Sequence, residues 1–110
     1  MTLQHRLYQK AYCSTLDWKS GVVLLHEKVA TLAKQAARTG DHPGKQLELE
    51  LRALKILQFL MANIAQAKEQ PAADRRICGQ LLREYGHCAL YLSEGKDLEA
   101  ASVVHRLLKT

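Results

Sequence analysis

At 110 residues the chain has room for one hydrophobic core and not for two. Aromatic residues make up only 5% and there are two prolines, a balance that disfavours a β-sandwich or barrel and favours an all-α protein. The net charge of +5 is spread along the chain, with Arg75–Arg76 the one adjacent basic pair, so no basic stripe for nucleic acid emerges. No apolar run reaches membrane-spanning length.

Residues 1–14 (MTLQHRLYQKAYCS) read as an amphipathic arm in which Leu3, Leu7 and Tyr8, with Ala11 and Tyr12, make a weak helical stripe. Ser14, Thr15 and Asp17 each offer a capping oxygen for a helix over about 16–39, where Val22, Leu25, Val29, Leu32 and Ala36 form a core stripe. Trp18 is expected to close one end of that core, and Gly40 to cap the helix in the left-handed conformation.

Asp41-His42-Pro43 then restarts the chain, because proline is tolerated in a helix's first turn. The spacing predicts a helix from Pro43 to Lys68, centred on the segment LELELRALKILQFLMANI. Leu47, Leu51, Leu54, Leu57, Met61 and Ile64 share one face, and Leu49, Ala53, Ile56 and Leu60 the adjoining one. Together they span an arc of roughly 220°, far wider than the ~100° stripe of an ordinary surface helix. Such a helix needs cover from more than one side.

Pro71 breaks the pattern and a further helix is predicted over 72–94, with Ile77, Leu81, Leu82, Tyr85, Cys88, Ala89 and Leu92 facing inward. Gly79 and Gly86 lie on one face of it, there either for close helix approach or as tolerated weakness. Gly95 reads as a C-cap and Asp97 as an N-cap, followed by a short helix from Leu98 to Lys109 carrying Ala101, Val104, Leu107 and Leu108. The expected fold is all-α: one domain over 1–110, an antiparallel four-helix bundle with a short extra helix or N-terminal arm.

Chemical motifs are scarce. The five histidines and three cysteines form no CxxC, no HExxH and no zinc-type spacing, so neither a metal nor another cofactor is expected. Glu84, His87 and Cys88 share a helix face at three- and four-residue steps, but an ordinary helix with a small buried thiol accounts for them better. His26-Glu27-Lys28 is superficially similar to the phosphoacceptor site of histidine phosphotransfer bundles; lysine there stands three residues on, and here two. His26 is expected at the bundle surface or boundary.

The order of the elements adds a further reading. Tyr8-Gln9 in the arm, Val22-Val23-Leu24-Leu25 with Glu27, and Ala36 closing the helix resemble the flagellar secretion chaperone (FliS) family. The likeness continues through Gly40-Asp41, Arg52-Ala53-Leu54-Lys55-Ile56-Leu57, Leu82-Arg83-Glu84-Tyr85, Asp97-Leu98-Glu99-Ala100 and Leu107-Leu108. The chain departs from the family pattern at Gly21, His26, Lys28 and Arg83. This resemblance implies a non-enzymatic chaperone that holds the disordered C-terminal segment of flagellin, blocks premature polymerisation and passes its client to an export-gate component. The face Leu49, Ala53, Ile56 and Leu60 is then the expected client groove, with Tyr8 lying over it when empty, since helix-in-groove recognition needs surplus apolar surface. The same face equally fits ordinary core beneath the following helices. A cytoplasmic location is expected from the reduced thiols and the polar opening Met-Thr-Leu-Gln-His. A phosphotransfer protein and a purely structural or oligomeric bundle are the other classes the pattern admits.

Overall fold

The computed structural model describes residues 18–71 and 73–109, with side chains described from Val22 to Leu108. These described residues form four helices: α1 (Trp18–Arg38), α2 (Pro43–Lys68), α3 (Arg75–Ser93) and α4 (Asp97–Lys109). The arm, Tyr8 and the side chain of Trp18 lie outside the described residues.

Each boundary has a local cause. Thr39 ends α1: its hydroxyl donates to the Gln35 and Ala36 carbonyls at 3.2 and 3.1 Å, and its N–H to Ala36. Gly40 therefore does not make the left-handed turn expected of it; Gly95, at φ 75°, is the one described glycine with positive φ. Pro43 opens α2 with its φ already helical, behind a His42 cap that lends no side-chain bond.

Between α2 and α3 the chain makes a turn longer than the sequence suggests. Asp74 Oδ1 accepts the N–H groups of Arg76 and Ile77, both at 3.1 Å, so α3 starts at Arg75 and not at Ala72. A cap of this kind contributes about 1 kcal/mol. At the other end, Lys96 N–H donates to Tyr91 and Gly95 N–H to Leu92, the paired bonds of a Schellman turn with glycine at its left-handed position. Asp97 falls inside the first turn of α4, and its carboxyl turns into the bundle instead of capping the helix.

Around the bundle, α1 packs on α2 and α4, and α3 packs on the same two; α1/α3 and α2/α4 stand across the diagonals. Short turns and this ring of neighbours make the antiparallel four-helix bundle. Every helix points a seam of alternating three- and four-residue steps at the centre: His26, Val29, Ala33 and Ala36 on α1, Cys78, Leu81, Tyr85, Cys88 and Leu92 on α3, and Asp97, Ala100, Val104 and Leu107 on α4. On α2 the seam runs Glu50, Ala53, Leu57, Leu60, Ile64 and Ala67. This is the 3.5-residue period of knobs-into-holes packing. Open space surrounds the positions a Cβ would occupy on Gly79 and Gly86, so close helix approach is not their purpose.

Candidate helix-docking face

The central seam decides which part of the α2 arc is buried. It runs through the middle of the arc and takes in most of the face that fitted either a client groove or ordinary core. Leu49, Ala53 and Leu60, three of the four residues expected to line a client groove, are consequently core, at 3, 0 and 2% exposure. Ile56 is half-buried at the core's edge. The expected groove face is thus covered by the protein's own helices, since α1 and α3 both pack on α2.

What remains outside is a second seam on α2. Leu47, Leu51, Leu54, Gln58 and Met61 follow steps of four, three, four and three residues, along a line rotated away from the buried seam. Leu47 and Leu51 are 55 and 53% exposed, while Leu54 and Met61 are half-buried and rest on the core. A shallow depression lies along this line, lined by Glu48, Leu51, Arg52, Leu54, Lys55 and Gln58. Lys45 pairs with Glu48 at 3.7 Å, which leaves Arg52 and Lys55 as the exposed cations of that rim. Phe59, on the opposite flank of the arc, is also exposed.

The other exposed apolar side chains, Leu24, Leu90 and Leu98, are single residues on three different helices. Isolated surface leucines are ordinary. A line of them at coiled-coil spacing is not, and α2 alone among the described helices carries one.

Among the described residues three buried polar side chains interrupt the core. His26 is 1% exposed, not a boundary residue. Its Nδ1 lies 2.8 Å from the Val22 carbonyl, which can only accept, so Nδ1 carries the proton. Nε2 is then the acceptor for the Tyr85 hydroxyl at 2.8 Å, a bond that spans the α1/α3 diagonal. Burial lowers the imidazole's pKa below its ordinary value and raises that of the Tyr85 phenol, so both stay neutral. With both ring nitrogens engaged inside the core, His26 presents no atom to a phosphoryl donor.

The remaining two are Glu50 and Asp97, which meet across the α2/α4 diagonal, where Gln46 Nε2 donates to Asp97 Oδ2 at 3.1 Å. Burial first, and Asp97 second, push the Glu50 carboxyl up to about 7. Glu50 is the residue that pattern reading overlooks. Its signal is its place in the buried seam, three residues before Ala53 and seven before Leu57.

The grouping of Glu84, His87 and Cys88 comes apart in three dimensions. Glu84 pairs with Arg106 at 3.3 Å, His87 is exposed, and Cys88 Sγ turns inward to the Ala100 carbonyl at 3.5 Å. Burial pushes the Cys88 thiol up to about 12, which makes it an inert core group. Among the described residues no three His, Cys, Asp or Glu side chains come together as a metal site, and no helix is long and apolar enough to cross a membrane. Compared with protein-family models, with curated proteins and with solved structures, the chain finds no match.

Proposed function

We propose that this protein is a helix-capturing export chaperone whose client docks on the outer seam of α2. One observation carries this reading: Leu47 and Leu51, both exposed, and Leu54, half-buried at the core's edge, stand at i, i+4 and i+7 along a line of α2 turned away from its buried seam. That is the anchor spacing of helix-in-groove recognition. A client that fits has a matching apolar stripe, with acidic residues beside it to meet Arg52 and Lys55. The resemblance to flagellar secretion chaperones names the client as the disordered C-terminal segment of flagellin, held in the cytosol until an export-gate component receives it. The role is one of binding, without catalysis or cofactor.

The reading is tested by calorimetric titration of the full chain with the C-terminal segment of flagellin from the same organism. Expected are saturable one-to-one binding and a large negative heat-capacity change, the mark of apolar burial coupled to folding. Absence of binding refutes the flagellin assignment. Self-association abolished by Leu51→Asp would give the seam to a second copy of the chain.

A further inference from the structure

We infer that Glu50 and Asp97 form a proton-operated latch, one proton shared between their carboxyl groups holding the first turn of α4 to the first turns of α2. The inference is independent of what docks on the outer seam. It begins from placement: both residues occupy core-seam positions, at 9 and 3% exposure, where the neighbouring seam residues are alanine, valine and leucine. Polar residues at such positions cost stability and serve to fix register or to switch.

The bonding is incomplete in a particular way. Gln46 satisfies Asp97 Oδ2, but Asp97 Oδ1 and Glu50 Oε2 are both buried and accept no hydrogen bond. Two ionised carboxylates have no donor between them, so in that state each leaves an acceptor stranded beside a like charge. One proton mends both faults, since it becomes the donor across the pair and removes one of the two charges.

Among the described residues no other buried group supplies the missing charge or donor. From α1 the buried polar group is His26, engaged by Val22 and Tyr85. From α3 the buried titratable groups are Cys78, Tyr85 and Cys88, of which Tyr85 faces His26 and Cys88 faces Ala100. No cation stands among the influences on Glu50; burial and Asp97 act in one direction and raise its carboxyl to about 7 from 4.5. A group whose folded pKa is raised contributes its stability below the unfolded value and loses it as pH climbs to the folded one. The latch is therefore closed near pH 4.5 and open above about 7, its proton released to solvent.

Urea unfolding of the full-length wild type and of Glu50→Gln across pH 4.5–8 tests this, because glutamine is a permanent donor without charge. The gap between their urea midpoints should widen in favour of Glu50→Gln as pH rises to about 7, then stay level. Contributions common to both chains, His26 among them, cancel in that gap. A gap independent of pH overturns the latch. Should Glu50→Gln fail to fold, carbon-13 titration of the wild-type side chain decides: a Glu50 midpoint near 7 upholds the shared proton, and one near 4.5 overturns it.

Discussion

Leu51 and Leu60 lie on the same helix and differ in which seam they join, so one pair of substitutions separates the two possible docking faces. Leu51 is 53% exposed, and replacing it by aspartate forfeits about half the ~1.5–3 kcal/mol that full burial of a leucine contributes. A loss of roughly 1 kcal/mol leaves a domain of ordinary stability, about 5–15 kcal/mol, folded. Leu60 is 2% exposed, and its truncation to alanine costs about 2–5 kcal/mol through lost contacts and the cavity left behind. Circular dichroism during thermal unfolding should show Leu51→Asp melting within about 8 °C of wild type. Leu60→Ala should melt well below both. Client affinity, measured at 10 °C so that both variants remain folded, should reverse the order: Leu51→Asp loses at least about tenfold, since 1.4 kcal/mol is a factor of ten, while Leu60→Ala binds as wild type. If folded Leu60→Ala loses the client and Leu51→Asp keeps it, the buried seam is the docking site and must open to receive the client.

Gly79→Ala and Gly86→Ala should each raise stability by about 1 kcal/mol, because the added methyl meets open space and alanine is the better helix former. Denaturant midpoints read this directly, and a loss at either position would mean the glycine is required by packing. The His26–Tyr85 bond predicts acid sensitivity. A histidine whose folded pKa is depressed contributes stability fully above its unfolded value of 6.5 and loses it as pH falls below. The stability gap between wild type and Tyr85→Phe should measure about 1–3 kcal/mol at pH 7.5, the cost of stranding a buried acceptor. It should shrink once the pH falls below the lowered folded pKa of His26, where protonation takes Nε2 away as an acceptor in wild type. A gap that stays constant through the pH at which His26 protonates in the folded protein would show that the imidazole does not accept from Tyr85.

Local physics made most of the architecture legible in the sequence. Pro43 and Gly95 act within a turn of themselves, and the helix from Pro43 to Lys68 falls where its composition and its opening proline require. The centres of the inward faces of α3 and α4 likewise follow from spacing, at Leu81, Tyr85, Cys88 and Leu92 and at Ala101, Val104 and Leu107, while Cys78, Ala100 and Val103 are buried beyond what the spacing picked out. Even the shortfalls at these ends are local: Thr39 does by hydroxyl bonding what Gly40 was expected to do by a left-handed turn.

The rotation of α2 was not determined in this way. An apolar arc of about 220° can be buried along any of several lines, and the pattern within it prefers none. Where α1 and α3 press upon it chose the line through Glu50, Ala53, Leu57 and Leu60, sending Leu49 and Leu60 inward and Leu47 and Leu51 out. The same packing made His26 a core residue through a hydroxyl 59 positions away, and brought Glu50 against Asp97 across the bundle. The sequence by itself determined the four described helices, roughly where each begins and ends, and a surplus of apolar surface on the second, because each of these is settled by residues within a few positions of one another. Which part of that surplus faces outward, and which polar groups the core encloses, the tertiary structure alone decided, because burial belongs to the meeting of helices and not to any one of them.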